Sequence, residues 1–162
     1  MAKVGDKVPS ATLRMLGPEG PKAVTTEELF APGKKVVAFA LPGAFTPTCS
    51  AKHVPSYVSN FEALKAKGVD EIWCISVNDA FVMGAWGRDQ KAGGKVRMMA
   101  DGSADYVKKL GLENDLTARG MGMRAQRFSL LVDDGVVKAV NVEAPGKFEV
   151  SDAGTMLKAL GA

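Results

Sequence analysis

Cys49 closes the segment Pro42-Gly43-Ala44-Phe45-Thr46-Pro47-Thr48-Cys49, whose residue types suit a reactive thiol. An unbroken apolar run, Val36 to Leu41, precedes it, and residues at helical spacing follow: Val54, Tyr57, Val58, Phe61 and Leu64. This order predicts Cys49 at the exit of a buried strand, in the first turn of a helix. A helix N-terminus offers unpaired N–H groups and partial positive charge, and both favour thiolate over thiol. An isolated cysteine at such a junction is more often a small apolar filler. Its neighbours shift that balance. Pro42 and Pro47 fix φ and stiffen the loop, Gly43 lets backbone approach a ligand, and Thr46 sets a hydroxyl three residues before the thiol. His53 stands four residues after Cys49, on the same helix face. A Cys–His ion pair would suit a hydrolase, but nothing marks the orienting group or oxyanion hole that such an enzyme needs. A histidine bonded to nearby backbone or carboxylate is the favoured reading. Two residues are too few for zinc, which takes three or four protein ligands, and no phosphate-loop or dinucleotide fingerprint occurs. No cofactor is expected.

The spacing Pro42-x-x-x-Thr46-x-x-Cys49 resembles the active-site motif of the peroxiredoxins, thiol enzymes that reduce peroxides. The wording from Pro42 to Ser50, then His53-Val54-Pro55, is similar to the type II (atypical, peroxiredoxin-5-like) subfamily. The likeness continues in Ser76-Val77-Asn78-Asp79-Ala80-Phe81-Val82, Trp86-Gly87 and Arg127-Phe128-Ser129, so it spans nearly the whole chain. It implies a thioredoxin-like α/β fold, a central mixed sheet with helices on both faces. It also implies a peroxidase for hydrogen peroxide and organic hydroperoxides. Cys49 would become a sulfenic acid, regenerated by an external thiol: glutathione with glutaredoxin, or thioredoxin.

Such chemistry needs a thiolate, in-line approach to the O–O bond, and stabilisation of the departing oxygen. Thr46 and backbone N–H groups of the loop are expected to hold the oxygens. Gly43, Phe45 and Thr48 are expected to border the substrate, and Pro42 to limit water at the sulfur. A permanent cation would serve both sulfur and developing charge, and arginine stays protonated. The resemblance places that role on Arg127; Arg124 is a weaker candidate. Two other readings use the same thiol. A disulfide-exchange protein typically carries Cys-x-x-Cys, but position 46 is threonine. A redox sensor needs only the reactive thiol, which leaves Thr46 and Arg127 unexplained.

Several elements must position these residues. Residues 1–16 read as an extended arm ended by Gly17-Pro18-Glu19-Gly20-Pro21. Thr25 or Thr26 is expected to cap a short helix through Phe30, stopped by Ala31-Pro32-Gly33. Strand 36–41 lacks alternation, as when both faces are covered. The helix from Cys49 should run to about Lys67, bend at Pro55 and end at Gly68. Strand 71–77 follows, then helices capped by Asn78 and Ser103 around a short strand, 96–100. Residues 112–126 read as irregular. Strands 128–132 and 136–142 flank Asp133-Asp134-Gly135, a strong hairpin signal, and Ser151 is expected to cap the last helix. Alternating strands and helices imply a parallel sheet, with antiparallel strands added by the hairpin.

At 162 residues the chain is expected to form one domain, residues 1–162. Hydrophobic content of 46% and charged content of 24% are ordinary for a soluble protein. A net charge of +3 is too small to imply nucleic acid, and no apolar run approaches membrane-spanning length. Two cysteines and an N-terminus without an apolar core point to a reducing cytoplasm, or to an organelle reached through a removed presequence. The methionine pair Met121/Met123, with Phe45 and Trp86, reads as a substrate entrance or a homodimer face. Cys74 lies in a strand buried on both sides and reads as core packing.

Overall fold

The computed structural model describes residues 1–29 and 33–161. Its centre is the apolar run before the cysteine loop, β3 (Lys35–Ala40), buried from Val36 to Ala40. β3 pairs in parallel with β4 (Glu71–Ser76), and β4 with β5 (Arg97–Ala100). On its other side β3 pairs antiparallel with β8 (Phe128–Asp133), which returns through Asp134-Gly135 into β9 (Val136–Val142). Both turn residues have positive φ, 54° and 75°, the conformation of a tight hairpin turn. At the far edge β1 (Thr12–Gly17) and β2 (Gly20–Thr25) complete a mixed sheet in the order β2-β1-β5-β4-β3-β8-β9.

Strand alternation sends Val37, Phe39 and Leu41 to one face and Val36, Ala38 and Ala40 to the other. The first face is covered by α2 (Val54–Ser59), α3 (Phe61–Ala66), α4 (Ala80–Asp89) and α6 (Ala153–Ala159), which bring Tyr57, Leu64, Met83, Trp86 and Met156 to it. The second is covered by α5 (Asp105–Leu110), through Tyr106, Val107 and Leu110. Helices on both faces of a mixed sheet are the arrangement expected from the sequence.

Four expectations need correction. The N-terminal arm ends in the β1–β2 hairpin, with Gly20 at φ 110° in its turn. Residues 112–126 are not irregular: β6 (Glu113–Leu116) and β7 (Gly122–Ala125) pair as a separate two-stranded sheet. The long helix is divided. After Pro47 and Thr48 it opens into a π-helical turn, Cys49–His53, then continues as α2, and a break at Asn60 separates α3. Pro55 has no N–H for the Ala51 carbonyl, so the α-register fails there, and Val54 N–H reaches back five residues to Cys49 O. Finally, the caps of α4 and α6 are Asp79 and Asp152, each accepting an N–H three residues on, not Asn78 and Ser151. α5 starts from left-handed Ala104, and Asp101 rather than Ser103 accepts the N–H groups of Tyr106 and Val107. α1 (Thr26–Leu29) forms as expected, but its expected end at Phe30 and the stop at Ala31-Pro32 lie outside the described residues.

Candidate active site

Cys49 is fully buried where β3 gives way to the helix that covers it. Arg127, one residue before β8, reaches it from the neighbouring strand, and its Nη2 donates to Cys49 Sγ at 3.2 Å. An N–H donated by a cation favours anionic sulfur. The other nitrogen of the same fork, Nη1, donates to His53 Nδ1 at 2.9 Å. His53 Nε2 lies 3.1 Å from the Ser151 carbonyl, which also accepts the Tyr57 hydroxyl at 2.8 Å. A carbonyl only accepts, so the ring proton belongs on Nε2, and Nδ1 offers Arg127 a lone pair. Burial, then the nearby Arg127 charge, drive the His53 pKa down to about 3. The histidine is therefore neutral, and it holds the arginine rather than the thiol. Among the described residues no carboxylate pairs with Arg127, so its charge is not neutralised before it meets the sulfur.

Three bridges hold the cysteine loop. Asn78, just past β4, accepts Ala44 N–H at 2.9 Å through an Oδ1 that also accepts the Ser76 hydroxyl at 2.5 Å. Trp86 of α4, fully buried, donates Nε1–H to Ser50 Oγ at 3.0 Å. Arg124 of β7 donates Nε–H to Met121 O at 2.9 Å and Nη1–H to Pro42 O at 3.2 Å, tying the small sheet to the loop. Inside the loop the Thr46 hydroxyl donates to Gly43 O at 2.7 Å, and Ser50 N–H donates to Thr46 O. The Thr46 hydroxyl thus spends its proton on backbone and keeps its oxygen free to accept. Gly43 is buried against Arg124: a Cβ there would lie 2.4 Å from Nη1. Phe45 stands at φ 62°, a left-handed conformation costly for an aromatic residue. Its ring is 54% exposed and tilted on Trp86 at 6.3 Å.

Thus Cys49, Arg127 and His53 share one hydrogen-bonded cluster, while Pro42, Gly43, Phe45, Thr46 and Thr48 form the loop and first turn before it. Thr48 makes no side-chain capping bond. Arg124 clamps backbone instead of touching sulfur. Trp86 is buried beneath Phe45 and takes no part in an exposed face, and Met123 packs on the core. Both cysteines are free thiols; Cys74 is buried in the middle of β4, and burial pushes its thiol pKa well up. Sequence reasoning missed the roles of Asn78, Ser151, Tyr57 and Glu143. Only Asn78 carried a signal, its place in the family-like stretch after β4.

Comparison with known proteins bears on the family and the fold. The Redoxin family model matches residues 3–157. Peroxiredoxin-2B of Arabidopsis thaliana is 50% identical over 157 residues, 97% of each chain. Among solved structures, a reduced Prx3 from Vibrio vulnificus in complex with hydrogen peroxide is 53% identical, with a TM-score of 0.94 and 99% of each chain covered. Peroxiredoxin 5 from Alvinella pompejana is 32% identical, with a TM-score of 0.87 over 99% of this chain and 98% of that one.

Proposed function

Because this chain belongs to the Redoxin family and is a peroxiredoxin of thioredoxin-like fold, hence a thiol-dependent peroxidase, we propose that Cys49 is its peroxidatic cysteine and Arg127 its essential cation. The observation that carries this assignment is the 3.2 Å contact of Arg127 Nη2 with Cys49 Sγ. In the reaction, Cys49 sulfur attacks one peroxide oxygen in line with the O–O bond. That bond breaks, the second oxygen leaves with the electron pair as alkoxide or hydroxide, and it takes a proton to become alcohol or water. Sulfur, oxidised by two electrons, becomes the sulfenic acid. Arg127 stabilises the charge as it moves from sulfur to the leaving oxygen. Thr46 accepts the peroxide O–H through its free oxygen. Gly43, Phe45 and Thr48 border the substrate, and Pro42 limits water.

An external thiol then condenses with the sulfenic acid, releasing water, and a second thiol displaces Cys49 from the mixed disulfide. Glutathione with glutaredoxin, or thioredoxin, fits this step, and hydrogen peroxide and organic hydroperoxides fit the first. The chain acts as one domain, residues 1–162, in the cytoplasm or an organelle. No helix among the described residues is long and apolar enough to cross a membrane. A homodimer is favoured by two exposed aromatics, Phe45 of the cysteine loop and Phe81 of α4, 54% and 63% exposed.

The test is consumption of hydrogen peroxide with excess dithiothreitol. Wild type should turn over rapidly, and Cys49→Ser should not. A wild type that is oxidised once but fails to turn over would instead make Cys49 a sensor.

A further inference from the structure

Glu143 is a buried acid that the chemistry above leaves without a task. It follows β9, and its N–H donates to Arg127 O at 2.9 Å, extending the β8–β9 ladder to the residue that touches the sulfur. Its carboxylate grips the turn before α6. Oε2 accepts N–H from Glu149 at 2.9 Å, Val150 at 2.9 Å and Ser151 at 2.8 Å, and the Ser151 hydroxyl at 2.7 Å. Oε1 shares the Glu149 N–H at 2.9 Å. Burial alone would raise the pKa of this carboxyl, but the Ser151 hydroxyl and the three backbone donors outweigh it and hold the group below its ordinary value. It is a carboxylate at neutral pH.

The gripped residue is the one whose carbonyl faces His53 and Tyr57. Those two donors fill both lone pairs of that oxygen. With the carbonyl in place, the His53 proton stays on Nε2 and Nδ1 accepts from Arg127. With it displaced, the ring loses one of the two partners that select that tautomer, and only the Arg127 N–H still favours it. An Nδ1–H would then confront the guanidinium N–H and turn the fork away from Cys49. Glu143 thus holds both ends of the circuit, the Arg127 backbone through its own N–H and the Arg127 side chain through Ser151 and His53.

We propose that Glu143 is a positioning residue for peroxide reduction: by fixing the Ser151 carbonyl it sets the His53 tautomer, and so aims the Arg127 fork at Cys49. The inference rests on the assignment of Cys49 and Arg127 above.

His53 is the only histidine in the chain, so its ring nitrogens can be read by ¹⁵N NMR without ambiguity. Wild type should show a neutral ring with the proton on Nε2 and no titration between about pH 5 and 8. Glu143→Ala should show mixed tautomers or a titrating ring, and should react with hydrogen peroxide at least about tenfold more slowly. Glu143→Gln, whose amide oxygen can still accept from the turn, should recover most of both. If Glu143→Ala does not fold, Glu143→Asp keeps the charge, withdraws it by one methylene, and is read by the same two measurements. A folded Glu143→Ala, or Glu143→Asp where Glu143→Ala does not fold, with an unchanged ring spectrum overturns the proposal, whether or not its rate falls. So does a changed spectrum with an unchanged rate. Cys49→Ser and Arg127→Gln run beside them separate the two claims. If activity survives both, the assignment of the site fails. If it requires both while the Glu143 variants behave as wild type, only the positioning role fails.

Discussion

At the scale of the residue, one guanidinium touches two partners at once, and the proposed catalysis rests on that fork. Arg127 spends Nη1 on His53 and Nη2 on the sulfur. Lysine would keep the charge but not the planar fork, so it cannot satisfy both partners in that geometry. Arg127→Lys should therefore slow peroxide reduction by at least about tenfold, roughly one hydrogen bond to a charged group, measured as kcat/KM with saturating dithiothreitol. A rate within twofold of wild type, by the same arithmetic about 0.4 kcal/mol, would reduce the fork to a bare charge. His53 makes a second prediction, on stability. Its folded pKa is about 3, against 6.5 for the free group. Below pH 6.5 the unfolded chain binds a proton that the folded chain refuses. Stability from this residue is thus full above pH 6.5 and declines as pH falls toward 3. The slope should be on the order of 1 kcal/mol per pH unit. The charges that face the ring are Arg127, which opposes protonation, and Glu143 and Asp152, which favour it. Glu143, also held below its ordinary pKa, acts in the same direction at lower pH. Unfolding midpoints against pH should show a shallower acid slope in His53→Gln than in wild type. Equal slopes would assign the acid sensitivity to carboxylates alone.

At the scale of the element, the cysteine loop belongs to three elements besides its own strand and helix: Asn78 after β4, Trp86 of α4 and Arg124 of β7. Gly43→Ala tests the last of these. The new methyl would meet Arg124 Nη1, the far end of a flexible side chain, so the arginine gives way and loses the Pro42 carbonyl. The substitution should therefore act like Arg124→Ala. Each alone should cost about 1 kcal/mol, and the double variant little more than either, because they break the same bond. Additive losses in a double-mutant denaturation cycle would mean that Gly43 matters for its own space. This scale also shows what could be read in advance. β3, β4, the β8–β9 hairpin and the placement of Cys49 and Arg127 were legible, because unbroken apolar runs, an Asp-Asp-Gly turn and a dense motif are local signals. The caps were not. Asn78 and Ser151 stand where helix caps stand, but Ala44, from a distant loop, and Glu143, from the end of β9, engage them, and the aspartate next door does the capping. β6 and β7 are short and polar, so pairing rather than pattern reveals them. The Glu143 grip joins residues six to eight apart through a turn of no regular period, and only the folded chain displays it.

At the scale of the whole molecule, two questions concern surfaces and sulfur. Phe45 of the cysteine loop and Phe81 of α4 are exposed aromatics, and light scattering of the reduced protein should give the mass of a dimer. A strictly monomeric mass would leave those rings to the substrate mouth. The sulfur question is how the oxidised enzyme is reduced. Cys74 is the only other thiol, and its position argues against it. It lies opposite Phe39 of β3 and Met98 of β5, in the interior of the sheet, and it is fully buried. Burial pushes its pKa well above the ordinary value, and Cys49 adds to that, while Arg127 opposes. A thiol so held is rarely the thiolate that disulfide formation requires. Direct bonding also needs Cα atoms within about 7 Å and side chains turned toward each other, which a residue two places inside β4 reaches only if the strand opens. Recovery by an outside thiol needs no opening of β4, only access to the sulfenic acid on Cys49. Cys74→Ser should therefore retain turnover with glutathione and glutaredoxin, or with thioredoxin, and peroxide-treated wild type given a limiting thiol should carry a mixed disulfide on Cys49 by non-reducing mass spectrometry. If a Cys49–Cys74 bond forms during turnover and the serine variant loses activity with every reductant, β4 opens in the catalytic cycle and Cys74 is the resolving residue after all.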